Sequence, residues 1–490
     1  VQLKKCRTMR LIFWVLVLTF QPLHSLWGQS DFDIIELNSR RELFVDYYLI
    51  DELIGTRLVL QQPIDRGPVF YFDQSWEGAF CGYVTIIKDS TRYRAYYRGL
   101  PAVEQGKTRQ EVTCYAESPD GIQWNKPALG LFEIGGSRQN NVILANVGAV
   151  THNFCPFLDR RPGIKPSARF KALGGNHQSG LLAYVSADGI HWKKLQAEPV
   201  ITSGMFDSQN VAFWSVSEKC YVCYFRTWTE GGFNGFRTVS RSTSSDFIQW
   251  SEPVQMDFGD IPWEHIYTNQ THPYFRAPHI YLATAARFVP NRQVLTAVQA
   301  REIAVNPKYY QDCSDAVLMT SRGGTIYNRT FMSSFIRPGI GAENWVSRSN
   351  YPALNVVQTG PYEMSLYVNQ NYAQPTAHLR RYSLRLDGFA SVRAGYEGGE
   401  LRTRIFTFTG ATLYLNFSTS AVGGIRVELQ DQNGQSIPGF TLEASQELIG
   451  NEIERAVNWH NGAEVSQLAG QPVRLRFVLK DADLFALQFR

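Results

Sequence analysis

One eight-residue pattern returns three times along the chain: "ESPDGIQW" at 117–124, "VSADGIHW" at 185–192 and "TSSDFIQW" at 243–250. Each sets a Ser two residues before an Asp and a Trp four residues after it. The carboxylate suits a tight turn because it can accept backbone N–H groups, and the indole suits packing against a neighbour. A turn that recurs at 68 and then 58 residues marks a repeated structural unit.

Around these turns the chain alternates short runs of Val, Ile, Tyr, Phe and Thr with Gly, Asp, Asn and Pro, as in "YVTIIKDSTRYRAYYRG" (83–99) and "VAFWSVSEKCYVCYFR" (211–226). Both read as antiparallel hairpins. The units run from Gly78 to Trp124, from Phe154 to Trp192 and from Val211 to Trp250. A looser fourth runs from Pro273 to "TSRGGTIYNR" (320–329), with Tyr327 in the Trp place. A fifth lies in "EMSLYVNQ" (363–370) and "LRRYSLRLDGF" (379–389). Units of this length holding four short strands predict a five-bladed β-propeller over 31–389. The aspartates of the turns, Asp120, Asp188 and Asp246, are read as structural. Beyond 390 the repeat stops and longer period-two strands follow, ending in "VRLRFVLKDADLFALQFR". Residues 390–490 are expected to form a jelly-roll-like β-sandwich, giving an all-β protein.

Residues 1–28 differ from the rest. Lys4, Lys5, Arg7 and Arg10 precede the apolar run "LIFWVLVLTF", which ends near Pro22, Ser25 and Gly28. This is the layout of a signal peptide and predicts an exported protein, periplasmic or extracellular, with no membrane span in its mature form. The segment holds four of the 48 basic residues and none of the 44 acidic ones, so 44 of each remain. That balance gives no electrostatic case for a nucleic-acid partner. The six remaining cysteines, "CYVC" (220–223) included, read as buried thiols; no cofactor is expected, with Ca2+ the one ion left open.

Inner strands of a propeller converge on one channel, so residues preceding them share a mouth. "DQSWEG" offers Asp73, Trp76 and Glu77; "THNF" offers His152 and Asn153; "FDSQN" offers Asp207, Gln209 and Asn210. "EHIYTNQTHP" offers Glu264, Tyr267 and Asn269, and "GPYEMS" offers Glu363, while Arg98 and Arg226 end second strands. Asp46 on an early strand is read as a supporting residue. Carboxylates at one mouth suit glycosidic-bond hydrolysis, which needs a proton donor and an ionised base or nucleophile, with aromatic faces and amides for the sugar. Glu77, Asp207 and Glu363 are the catalytic candidates. Asp73, Trp76, Arg98, His152, Asn153, Gln209, Asn210, Arg226 and Tyr267 are the substrate-binding ones.

"ELFVDYYLID", "SWEGAFCGYVTII", "YAESPDGIQWNKP", "FDSQNVAFW" and "STSSDFIQW" together resemble exported bacterial proteins similar to glycoside hydrolase families 32 and 43. The resemblance implies a five-bladed propeller with an Asp base or nucleophile in the first blade, a stabilising Asp in the second and an acid Glu in the third. By position Glu77 or Asp73 takes the first role and Asp207 the third. The second blade offers His152 and Asn153 where the pattern has Asp, a departure from the three-acid scheme. The expected function is hydrolysis of a plant or algal polysaccharide or its oligosaccharides. A non-catalytic carbohydrate-binding propeller and a sialidase-like hydrolase are the alternatives.

Overall fold

The computed structural model describes residues 34–90, 92–101, 110–460 and 462–490. The stretch read as an export signal lies outside the described residues. Among them no helix is long and apolar enough to cross a membrane.

Five antiparallel sheets form the blades of a β-propeller. The first comprises Gly82–Asp89, Arg92–Gly99, Val112–Ser118 and Val142–Leu144. The second comprises Cys155–Leu158, Phe170–Asn176, Gly180–Ser186 and Lys193–Lys194, and the third Val211–Ser215, Cys220–Trp228, Arg237–Ser244 and Val254–Gln255. In the fourth, a split inner strand (His265–Thr268 and Thr271–Tyr274) pairs with Ala277–Val289, which pairs with Cys313–Ser321. The fifth has an inner strand in two pieces, Tyr351–Pro352 and Val357–Gln358, then Glu363–Gln370 and His378–Arg385. Its outer strand is Ile64–Tyr71, from the N-terminal side of the first blade, so chain start and propeller end are sewn into one sheet.

The repeated turns explain their own recurrence. In the first, Asp120 Oδ1 accepts from the N–H groups of Ile122 and Gln123 at 2.8 Å, Ser118 Oγ accepts from Gly121 N–H at 2.8 Å, and Trp124 Nε1 donates to the Gly121 carbonyl. Asp188 and Asp246 repeat the pattern with Ile190 and His191, and with Ile248 and Gln249. The indoles then pin blades together: Trp192 meets Tyr96 of the first blade edge-on at 6.4 Å and Trp124 meets Tyr367 of the fifth blade at 5.8 Å. Ser118 pairs with Tyr93 beside the first hairpin turn, which puts these turns on the face opposite the starts of the inner strands.

The channel is plugged midway. Gln209 Nε2 donates to Thr85 Oγ1 and Gln270 Nε2 to Gln209 Oε1 and the Pro352 carbonyl, each at 2.7 Å, and all three side chains are buried. On the turn side of this plug lies an apolar cavity of about 500 Å³ lined by Ile86, Phe157, Phe213, Pro273 and Val356.

The remaining strands form one ten-stranded sheet around a core of their own, including Leu401, Phe417, Val427, Trp459, Phe477 and Leu487. The long strands Leu413–Asp431 and Val473–Phe489 pair along most of their length, with a bulge between Thr419 and Gly424. The sheet does not begin at 390: Ile35–Asn38, Glu42–Leu43, Ile50–Ile54 and Thr56–Leu60 also belong to it. The expected boundary at 31 is corrected accordingly, since the backbone hydrogen bonds of these early strands are met by Phe406–Phe408, Val473–Phe489, Gly399–Thr403 and Ala390–Ala394.

Candidate active site

The mouth is built by the starts of the inner strands and the ends of the second strands. Tyr83, His152, Asp207, Tyr267 and Arg348 arrive by the first route, and Arg98 and Arg226 by the second. Glu111, immediately before Val112–Ser118, and Tyr372, after Glu363–Gln370, complete it.

At its centre the His152 imidazole bridges two carboxylates. Nδ1 lies 2.9 Å from Glu111 Oε2 and Nε2 lies 3.3 Å from Asp207 Oδ1. Burial alone would lower the His152 pKa, but the contacts with Asp207 and Glu111 outweigh burial and the Arg98 charge, and the pKa is raised. Burial works the other way on Asp207; the hydrogen bond from His152 and the charge of Arg226, 2.9 Å away, overcome it and hold the carboxyl at about 2. Glu111 is likewise lowered, against burial, by His152 and Arg98. The arrangement therefore places an imidazole with a raised pKa between two carboxyls whose pKa values are lowered, with Arg98 NH1 3.2 Å from the ring. Asp207 is the most open of the three, with half its side chain exposed.

Arginines and aromatic rings surround this chain of three. The Arg98 guanidinium stacks on Tyr83 at 4.8 Å and donates to Tyr372 Oη at 3.0 Å and to the Phe80 carbonyl at 2.9 Å. Arg226 stacks on Tyr267 at 4.8 Å, and Arg348 Nε donates to Tyr267 Oη at 3.1 Å. Burial would raise the Tyr267 phenol, yet Arg348 and Arg226 reverse the sign and lower it. Trp228, Phe233 and Phe236, on the hairpin rising from the third blade, stand at the rim, the last two exposed.

The structure thus brings Arg98, His152, Asp207, Arg226 and Tyr267 together and separates the other expected site residues from them. Glu363 is a correction. It begins the second strand of its blade, while the far end of that strand, Gln370, leads to Tyr372 at the mouth. The seven steps from Glu363 to Gln370 at ~3.3 Å each put it roughly 23 Å away on the opposite face. There it pairs with Arg66 at 3.1 Å and with Arg381. The inner strand that does reach the mouth, "YPALNVVQ" (351–358), is broken by Pro352 and by Asn355 at φ 77°, which hides its β pattern.

Glu77 is the second correction. It is fully buried and turned outward, held by Lys126 Nζ at 2.7 Å, by Tyr97 Oη at 2.6 Å and by the Gln74 N–H. A positive φ at Gly78 (83°) and the packing of Trp76, whose Nε1 donates to Asn141 Oδ1, set that direction. Asp73 stays with it, 3.3 Å from Lys126. Asn153 and Asn210 are buried stitches, both donating to the carbonyls of Phe206 and Ser208, while Gln209 is committed to the channel plug. Asn269 caps the Thr271 N–H, and Glu264 is paired with Arg287 and Arg329. Asp46 pairs with Arg322 where the early strands meet the fourth blade.

Glu111, Arg348, Tyr83 and Tyr372 escaped the reading of the sequence. Arg348 could have been found by treating "NYPALNVV" as an inner strand. Glu111 precedes a third strand, where no rule of propeller geometry looks for it.

No protein-family model and no curated protein matches the chain. Among solved structures it is similar to an N-acetylgalactosamine deacetylase from F. plautii in complex with blood group B trisaccharide, at 13% identity over 68% of this chain and 96% of that one, with TM-score 0.43. A structure described as a glycoside hydrolase gives 11% identity, 66% and 92% coverage and TM-score 0.41. A fructofuranosidase from Schwanniomyces occidentalis complexed with fructosylnystose gives 10% identity, 86% and 96% coverage and TM-score 0.37. At these identities and scores none of the three carries an activity over to this chain.

Proposed function

We propose that the protein is an exported glycoside hydrolase acting on a plant or algal polysaccharide or its oligosaccharides at the Glu111–His152–Asp207 mouth. The observation that carries this reading is the imidazole held between two ionised carboxylates where the five inner strands meet. Hydrolysis needs a proton for the leaving oxygen and an ionised group to activate water or attack the anomeric carbon. Asp207, open and ionised, takes the second role. His152 supplies the proton, because neither carboxyl of the mouth has the raised pKa of a carboxylic acid donor. Glu111 orients the ring through Nδ1. The exposed rings of Phe233 and Phe236 offer flat faces for sugars at the rim.

The lowering of both carboxyls also favours a second reading, a propeller that binds glycans without cleaving them. Incubating the protein with a glycan panel and following reducing-end release separates the two. Hydrolysis predicts product from the wild type and a loss of about 10²–10⁴-fold in kcat/KM for His152→Gln. Binding without product in every member of the panel contradicts it.

A further inference from the structure

The charge of the mouth is unbalanced in one quadrant. Three guanidinium groups crowd the ring of Tyr267, with Arg226 at 4.8 Å, Arg237 at 5.4 Å and Arg348 at 5.6 Å from its centroid. Among the described residues only Arg226 has a carboxylate, Asp207, and that carboxylate is shared with His152. Arg237 makes contact only with aromatic faces, Trp228, Phe288 and Tyr267, and it forms no ion pair with any described residue. Arg348 reaches Tyr267 through Nε, and its two terminal nitrogens likewise meet no described carboxylate.

The most buried of the three is also incompletely satisfied. The Arg226 side chain is 3% exposed, yet its Nε and NH1 close no hydrogen bond of normal geometry with any described residue. Trp228 Nε1, beside Arg237, has no acceptor either. Buried donors are normally paired, and like charges pressed together in a poorly solvated site repel strongly. Burial and then the Arg226 charge lower the Arg237 pKa, whereas Tyr267, against burial, raises those of Arg226 and Arg348. A cluster of free guanidinium donors with excess positive charge is complementary to a planar or tetrahedral oxyanion, which arginine forks bind bidentately.

We propose that Arg226, Arg237 and Arg348 receive the anionic group, carboxylate or sulfate, of an acidic sugar, so that this mouth takes acidic glycans in preference to neutral ones. The proposal rests on the reading of the mouth as a glycan site and names the class of glycan. It also reconciles a formal net charge of only +4 over the whole chain with a strongly cationic pocket, because the charge is local. The anion is held by the guanidinium groups gathered around Tyr267, which leaves the Glu111–His152–Asp207 chain free for the adjoining bond.

The test is calorimetric titration of the full chain with three oligosaccharides of equal length: an oligogalacturonate, a sulfated galactan fragment and a neutral galactan fragment. The wild type is expected to bind one of the two acidic oligomers at least about tenfold more tightly than the neutral one, and the preferred one identifies the oxyanion. Arg348→Gln and, separately, Arg237→Gln, both partly exposed positions, weaken binding of the preferred acidic oligomer at least about tenfold more than binding of the neutral one, with the melting temperature unchanged. Equal affinity for charged and neutral oligomers, no binding of either acidic one, or an undiminished preference in both variants would overturn the proposal. Tight acidic binding without cleavage would remove the hydrolase reading and leave this one standing.

Discussion

Two arginine-rich clusters in this molecule are built on opposite principles. Where the C-terminal sheet meets the propeller, Arg41 reaches Asp387 at 3.1 Å and Glu454 at 2.6 Å, and Arg276 reaches the same two carboxylates at 3.3 and 2.6 Å. Arg490 joins Glu454, and Arg322 joins Glu42 and Asp46. Tyr274 Oη and Asn416 Nδ2 also donate to Asp387. Each of these four guanidiniums has a carboxylate. Around Tyr267 only one of the three guanidiniums, that of Arg226, has a carboxylate among the described residues. The difference separates charge that holds a fold together from charge that waits for a ligand.

That contrast can be broken by mutation. The largest effect belongs to the latch: Asp387→Ala strips the common partner from two arginines, one of them buried, and should cost about 3–5 kcal/mol in denaturant unfolding. The pH dependence of activity comes next. Glu111 and Asp207 sit below their ordinary values and His152 above its own, so the active form persists to unusually low pH. Activity is lost on the alkaline side as His152 gives up its proton beyond the ordinary value of about 6.5, at up to about tenfold per pH unit. His152→Gln abolishes that alkaline limb in a pH–rate profile.

Acid also weakens the latch. Burial would raise Glu42, but Arg322 and His279 hold it lowered, so its contribution to stability is present above the unfolded carboxyl value and disappears as pH falls through the lower folded one. Melting curves between pH 5 and pH 2 read that loss. A smaller effect is expected at the repeated turns, where Asp120→Ala removes two backbone acceptor bonds at an exposed site and should cost about 1 kcal/mol. Smallest of all is Arg348→Gln, expected to lie within about 0.5 kcal/mol of the wild type in stability, because relief of repulsion offsets the lost hydrogen bond to Tyr267 Oη and no carboxylate is stranded. A large destabilisation there would erase the distinction between the clusters.

Much of the propeller is legible in the sequence because its signals are local. The Asp of each repeated turn binds N–H groups two and three residues ahead, so pattern and structure share a short window. Arg98, Arg226, His152, Asp207 and Tyr267 are legible for a related reason: a strand end fixes where a side chain emerges. Glu77 shows the limit, since it stands before an inner strand and is nevertheless turned outward by Gly78, Trp76 and Lys126, the last of these 49 residues away. Glu363 shows another, because Pro352 and Asn355 disguise the strand that reaches the mouth. The early strands at 35–60 alternate visibly, but nothing local says that their partners lie more than 300 residues ahead.

The account turns on which acid works. Asp207→Asn and Glu363→Gln should be compared for product release on the same glycan, with folding of each verified by its melting curve. The geometry predicts a fall of about 10²–10⁴-fold for Asp207→Asn and activity within about twofold of wild type for Glu363→Gln. Equal losses in the two, or full activity in Asp207→Asn, would contradict the placement of the active site at this mouth.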